Sequence, residues 1–465
     1  MDWKSVFSYL GLVLIILSFL MLLPLAVSFI FAENVYVPFL LGALVSFVIG
    51  IFLSKKFEKE PLTLGSAMVL AGLTFVTISL LGSIVYLDHL EPINAVFESV
   101  SGFTTTGLTT VNPESLPYSI LFWRSLTQWI GGIGILIIFL LLLSSPGMSS
   151  YYIYRAEGHS HRIEAGVYST VKRIFLIYGI YTVIGIVLLT LVGMPLFDSF
   201  NHTFTSIATG GFSVKNNSTG AYNSPLIEVV MILLMVLGAT SFFIHDKLFK
   251  RKFTEYVKNS EVRLFWTIII VFSALVSLSF LSNPEPFRVG IFQAFSALTG
   301  SGFTLTSNYP ELSKLLLPIL MIIGGFAGST AGGLKLVRVG ILGKAITWVS
   351  KKISYPISAV VPFKFHRRIV SDEELSIISL FSFVYILILI ISTIALSFMG
   401  YAPIDSFFVS ASAEGTVGLT TIDIASMNPL GKTMLMIDML LGRLEILPFF
   451  VLLFAVYSGL QKRRR

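Results

Sequence analysis

The 465 residues are 55% hydrophobic and only 12% charged, with a mean hydropathy of +0.86, a balance that a soluble domain with a wetted surface does not tolerate and a bilayer protein does. The absence of cysteine excludes disulfides, thiolate metal sites and a cysteine nucleophile. The formal charge of +7 does not point to nucleic acid, because the basic residues lie between apolar spans.

The first apolar run, 7–30, is too long for a signal-peptide core, and 31–37 offers no small-residue cleavage site, so it reads as a retained helix. Stretches of about 20 mostly apolar residues, each able to cross about 30 Å of hydrocarbon, follow at 36–53, 65–86, 119–143, 172–192, 225–244, 263–281, 314–345, 375–399 and 433–458. That gives roughly ten crossings, with shorter glycine-rich segments between some of them.

Orientation follows from the loops, since cytoplasmic loops carry the lysine and arginine excess. Lys55, Lys56 and Lys59 fall in one loop; Arg155, Arg162, Lys172 and Arg173 in a second; Lys247, Lys250, Arg251, Lys252, Lys258 and Arg263 in a third. Lys351, Lys352, Lys364, Arg367 and Arg368 mark a fourth, and the tail Lys462, Arg463, Arg464 and Arg465 shares their side. The opposite loops offer little beyond Lys215, Arg288, Lys314 and Lys432. The bias predicts a multi-pass cell-membrane protein with both termini cytoplasmic, provided that the short segments after the third, fifth, seventh and ninth spans enter and return without crossing. Backbone outside a helix is tolerated at that depth only where it is buried or lines a water-filled path.

Aligned on one glycine, those segments read Thr105, Thr106, Gly107, Leu108, Thr109; Thr209, Gly210, Gly211, Phe212, Ser213; Gly300, Ser301, Gly302, Phe303, Thr304; and Thr416, Val417, Gly418, Leu419, Thr420. Short apolar stretches at 93–100, 197–204, 287–295 and 404–409 precede them, about the length of a half-membrane helix. A potassium filter offsets desolvation with a ring of oxygen ligands, and backbone carbonyls supply it where glycine allows conformations closed to other residues. The neighbouring hydroxyls can add oxygens or brace the loop, and the carbonyl end of each half-helix would face the cation. Glycine, serine and threonine also serve membrane helix contacts, so one such pentapeptide would carry little weight. Four in register favour a filter.

These residues resemble the Trk/Ktr/HKT superfamily of potassium transporters, and most closely its TrkH branch. The run from Phe97, Glu98, Ser99, Val100, Ser101, Gly102, Phe103 and Thr104 to Gly107 is similar to the family's first pore loop, and Phe122, Trp123 and Arg124 through Gln128, Trp129, Ile130, Gly131 and Gly132 to the helix after it. The resemblance implies an all-α polytopic fold with four pseudo-symmetric helix/pore-loop/helix repeats around a central pore, preceded by two extra helices. The divisions are 1–62 for the extra helices, 63–165, 166–255 and 256–355 for the first three repeats, and 356–465 for the fourth. Potassium would be the transported ion, held at Thr105, Thr106, Thr209, Gly210, Gly300, Ser301, Thr416 and Val417. Some members that favour sodium carry serine at the first-repeat glycine, so Gly107 beside Gly211, Gly302 and Gly418 implies potassium, with the third repeat the least regular.

In that family the second helix of the third repeat is interrupted by a gating loop, which Gly324, Gly325, Phe326, Ala327, Gly328, Ser329, Thr330, Ala331, Gly332 and Gly333 match. Each glycine costs a helix about 1 kcal/mol relative to alanine. A close small-residue helix contact is the other reading. Arg443 resembles the family's arginine below the filter, with a structural salt bridge as the alternative. Glu445 stands two residues on and would not face it. Lys335 and Arg338 are expected to snorkel at the inner boundary, His202 to hydrogen-bond within its loop, and Asp438 to be a structural partner.

The resemblance further implies a homodimer and a separate cytosolic nucleotide-binding regulatory subunit of the TrkA/KtrA type on the basic face, since no nucleotide fingerprint is visible in this chain. Besides membrane lipid and K+, no organic cofactor is expected. Two rival classes remain: a K+/H+ or K+/Na+ symporter on the same scaffold, and an intramembrane enzyme using Ser206, His202 and Asp198, which lack a nucleophile elbow or zinc motif.

Overall fold

The computed structural model describes residues 2–58, 60, 62–143, 167–356, 361–365 and 368–464. Lys59, Arg155, Arg162, Arg367 and Arg465, counted above among the inner-face charges, lie outside the described residues. The apolar runs become helices. Among the described residues, Trp3–Ile30, Val37–Lys56, Gly65–Tyr86, Ser169–Leu191, Ser260–Ser279 and Asp372–Phe398 are each long and apolar enough to cross a bilayer, and Tyr118–Leu143 adds a 26-residue apolar helix. The first two pack through Gly11 and Gly50, where a Cβ on either would meet the other's backbone carbonyl, a contact open only to the smallest side chains.

Four short helices lie between the spans: Pro92–Phe103, Leu196–Ile207, Pro286–Thr299 and Pro403–Glu414. Proline starts each of them. Pro92, Pro286 and Pro403 occupy the first helical position and Pro195 the one before it, where a missing N–H costs nothing and φ is already set. At 1.5 Å per residue these helices reach about 18–21 Å, short of the roughly 30 Å hydrocarbon core. They enter and stop. Each runs several residues past the apolar stretch read from the sequence, so that its carboxyl end abuts the aligned glycine segment.

The helix after each glycine segment behaves differently from repeat to repeat. Tyr118–Leu143 is unbroken in the first. In the second, Pro225–Ala239 and Phe242–Phe249 meet at 106°. In the third, Glu311–Ile323 and Leu336–Ser354 are separated by the glycine-rich run. In the fourth, Pro429–Arg443 gives way to Leu447–Arg464, with Glu445 and Ile446 at φ 54° and 62°. The spans 225–244 and 433–458, read as continuous, are thus each interrupted. Pro448 supplies the reason in the last: it cannot donate to the Leu444 carbonyl one turn back, and its ring excludes a straight helix there.

The four half-helices converge, with their carboxyl ends toward a common centre. The second helices press against those ends through glycine: a Cβ on Gly131 would strike Phe103 O, on Gly238 Ile207 O, and on Gly442 Glu414 O. This is an all-α membrane fold with four pseudo-symmetric helix/pore-loop/helix repeats around a central path.

Candidate functional site

Every half-helix ends in the same cap. Thr106, Gly210, Ser301 and Val417 donate their N–H to the carbonyls of Ser101, Thr205, Ser296 and Ser412 at 2.8–3.0 Å. The residue between, Thr105, Thr209, Gly300 or Thr416, stands in the left-handed region at φ 54°, 52°, 69° or 49°. This is the Schellman termination, which usually calls for glycine. Three threonines adopt it against a cost of roughly 1–2 kcal/mol each, and the third repeat uses glycine. The irregularity noticed at Gly300 is therefore chemical, not conformational.

The aligned glycines close a ring. A Cβ on Gly107 would overlap Gly210 O, on Gly211 Ser301 O, on Gly302 Val417 O, and on Gly418 Thr106 O. Each glycine thus abuts the carbonyl preceding the glycine of the next repeat, and the fourth returns to the first. All four lie at positive φ, 93°, 77°, 71° and 97°. Thr105 Oγ1 and Thr416 Oγ1 are buried without a hydrogen-bond partner, while Thr209 Oγ1 donates to Ala208 O at 2.7 Å. On the far side of the ring lies a cavity of about 480 Å³, lined by all four glycines together with Thr109, Ser213, Thr304 and Thr420.

Around the first two segments runs a buried charged brace. Arg124 Nε lies 3.1 Å from Glu98 Oε2, and its NH1 donates to Ser213 O at 3.2 Å. Its guanidinium carbon stands 4.1 Å from the Phe212 ring centre. Glu98 Oε1 also accepts from Thr110 N at 2.6 Å and Thr109 Oγ1 at 2.7 Å. His202 is hydrogen-bonded within its own loop, to Asp198 O at 2.9 Å and Ser213 Oγ at 3.0 Å, as expected. Its partner is not the Ser206 hydroxyl, which donates to His202 O.

Directly beneath the ring lies the run 324–333. Gly332 abuts Gly415 O and Thr416 Oγ1, and Thr330 Oγ1 bonds Ile207 O and Gly238 O, each at 2.9 Å. Thr209 Oγ1 lies 3.2 Å from Thr330 Oγ1. The break in the second repeat's helix receives this run, with Phe326 N donating to Ala239 O and Phe242 N to Gly328 O, each at 3.0 Å. Gly324, Gly328 and Gly333 take positive φ. Ser329 closes a turn onto Phe326 O at 2.6 Å. Gly325 leaves no room for a Cβ beside Ala331 and Ala239.

Arg443 is 3% exposed and donates to Thr330 O at 2.6 Å and to Gly131 O and Gly132 O at 2.6 and 3.2 Å. Among the described residues no carboxylate pairs with it, so the salt-bridge alternative falls. Its charge is met by backbone carbonyls of two other repeats. Lys335 and Arg338 do not snorkel. They are 6% and 3% exposed. Arg338 is ion-paired with Glu445, Lys335 Nζ lies 3.9 Å from the same carboxylate, and Lys335 also donates to Ala331 O. The break after Arg443 turns Glu445 away from its neighbour and onto the helix that follows the glycine-rich run.

Sequence reasoning did not single out Glu414. It is fully buried one residue before Gly415, and neither carboxylate oxygen has a hydrogen-bond partner. Asp438 is also fully buried and accepts from Ser392 Oγ, with its other oxygen unpartnered. An ionisable residue at membrane depth is itself a signal.

The sequence profile of the TrkH family, described as a cation transport protein, matches residues 39–459. The chain belongs to the TrkH family. It is 35% identical over 469 residues to an uncharacterized cation transporter of Methanocaldococcus jannaschii, covering 98% of this chain and 96% of that protein. It is 31% identical over 479 residues to the Trk system potassium uptake protein TrkH of Salmonella typhimurium, covering 97% and 98%. The crystal structure of the potassium transporter TrkH from Vibrio parahaemolyticus superposes with a TM-score of 0.88 at 28% identity, covering 97% of this chain and 99% of that one. Family membership makes the chain a multi-pass cation transporter and sets the enzyme reading aside.

Proposed function

We propose that this chain is the pore-forming subunit of a potassium uptake system, conducting K+ through the four glycine segments. The closed ring of glycine–carbonyl contacts carries the reading, because it brings eight backbone positions of four distant segments to one axis. The cap residues and those before each glycine, Thr105, Thr106, Thr209, Gly210, Gly300, Ser301, Thr416 and Val417, supply the ion's oxygens. The orphan hydroxyls of Thr105 and Thr416 suit a cation, since a buried acceptor without a partner is costly otherwise. Relatives named as potassium uptake proteins support K+ as the ion.

In this reading Gly324, Gly325, Gly328, Ser329, Thr330, Gly332, Gly333 and Arg443 form the gate. The run occludes the path just below the ring, and Arg443 holds it while opposing cation passage. The domain divisions, the homodimer, the cytoplasmic termini in the cell membrane and a nucleotide-binding regulatory subunit on the inner face belong to the same reading. A two-state gate biased by that subunit needs no nucleotide site in this chain.

The buried carboxylates Glu414 and Asp438 favour a second reading, symport of K+ with H+ or Na+ on the same scaffold. Tracer rubidium uptake into potassium-loaded liposomes separates the two. A channel follows the potassium gradient alone and excludes sodium; uphill uptake driven by an imposed proton or sodium gradient would sink the passive reading.

A further inference from the structure

The second glycine segment is held differently from the others. Six residues before the aligned glycine, the first and fourth repeats carry a serine whose hydroxyl accepts the glycine's own N–H: Gly107 N to Ser101 Oγ at 3.0 Å, and Gly418 N to Ser412 Oγ at 2.9 Å. In the third, Ser296 Oγ donates to Phe303 O at 2.6 Å. The second repeat has Thr205 at this place, and its hydroxyl turns back into the helix, to Asn201 O at 3.0 Å and His202 O at 3.3 Å. Its segment has no clamp of its own.

The missing clamp comes from the first repeat. Gln128, fully buried on the helix Tyr118–Leu143, donates Nε2–H to Gly210 O at 2.6 Å and accepts Phe212 N–H on Oε1 at 3.0 Å. One carboxamide thus fixes the backbone on both sides of Gly211. Arg124, one turn earlier on the same helix face, holds Ser213 O and stacks on Phe212. The clamp also accounts for a sequence irregularity. Gly210 is the only glycine directly before an aligned glycine, and a Cβ there would overlap the Gln128 carboxamide. Among the described residues, no side chain of another repeat bonds the backbone directly beside Gly107, Gly302 or Gly418; the nearest such contact is Ser218 Oγ accepting Thr304 N–H at 3.3 Å in the third segment.

We propose that Gln128 is a specificity-determining positioning residue, which acts across the repeat boundary by fixing the Gly210 carbonyl and the Phe212 amide, and so sets discrimination between K+ and smaller cations. The inference rests on the filter reading given above. A carbonyl free to swing inward by a fraction of an ångström accommodates a smaller ion, whereas one tied to a buried amide does not.

The test uses the full chain in liposomes, measuring rubidium and sodium uptake separately for wild type, Gln128→Met and Gln128→Glu. Met keeps the side-chain length and loses both bonds. Glu keeps an acceptor for Phe212 N–H and lacks the amide donor to Gly210 O. The expected result is a fall of about tenfold or more in the rubidium-to-sodium ratio for Gln128→Met, the equivalent of two lost hydrogen bonds, with the unfolding temperature lowered by a few degrees. Gln128→Glu also loses discrimination and decides the matter should Gln128→Met fail to fold. Folded variants that keep the wild-type ratio, even with lower total flux, overturn the proposal. A wild type that passes both ions alike instead removes the filter reading and this inference with it.

Discussion

The ring of glycine segments and the region directly beneath it follow opposite rules. In the ring, four repeats with different side chains adopt one backbone: the same cap, the same left-handed residue, the same glycine-to-carbonyl contact passed around the circle. Beneath it the second helices diverge. One second helix is unbroken, one bends by 106°, one is split by a glycine-rich run, and one breaks behind Arg443. On the reading proposed above, ion recognition would draw on what the repeats share, and control on how each departs from the others.

The sharpest way to break the comparison is to damage the ring where its tolerance is least. Gly302→Ala would drive a methyl into Val417 O, backbone that cannot swing aside as a side chain can. Overpacking of this kind costs about 1–3 kcal/mol, and a positive φ adds strain. Rubidium uptake into liposomes should fall to the level of protein-free vesicles. Retention of selective flux would show that the ring is packing and not a path.

Below the ring the sign reverses. Arg443→Ala removes the donors to Thr330 O, Gly131 O and Gly132 O, and charge-assisted hydrogen bonds contribute about 1.5–3 kcal/mol each. Rubidium flux should rise about tenfold or more while the rubidium-to-sodium ratio stays as in wild type. A changed ratio would mean that the two regions are not separable in this way.

How much of this was legible beforehand follows the same divide. The ring was readable because its demands fall on the backbone, and only glycine meets them, so the residue recurs at a fixed offset. The left-handed threonines were not readable, since β-branched residues avoid that region and only the shared cap compels it. The region beneath the ring is half readable. Glycine density marks the run 324–333, yet Lys335 and Arg338 read as boundary residues, because the carboxylate that pairs with them lies 107 positions further on in the case of Arg338. Pro448 is a visible break signal in the last helix, set in a run that hydropathy alone makes continuous.

Glu445→Gln probes that long-range pair. It leaves Arg338 and Lys335 buried beside a neutral amide and loosens the tie between the broken last helix and the helix beyond the glycine-rich run. Losing a charge-assisted bond while keeping a neutral one costs about 1 kcal/mol, so flux should rise roughly fivefold and the unfolding temperature should drop by a few degrees. Unfolding that shifts without any change in flux would assign the pair to stability alone.

The smallest effect is expected where the two regions touch. Gly300→Thr gives the third repeat the cap residue of the other three. The backbone already stands at φ 69°, ψ 23°, close to the φ of 49–54° that the threonines hold. The nearest atom to a Cβ there would be Gly332 N at 3.6 Å, with Ala331 Cβ at 3.7 Å, ordinary van der Waals separations. Sterics therefore admit a Cβ, and the conformation carries about 1–2 kcal/mol of left-handed strain. If a shared backbone is what selects the ion, the rubidium-to-sodium ratio should hold within about twofold. The two nearest neighbours of that Cβ, however, belong to the glycine-rich run, and only the third, Thr416 O at 3.8 Å, belongs to the ring. A variant that keeps its selectivity but passes more rubidium would place Gly300 with the glycine-rich run, as clearance for Gly332, and would explain why the one glycine among the caps stands in the repeat whose second helix is split.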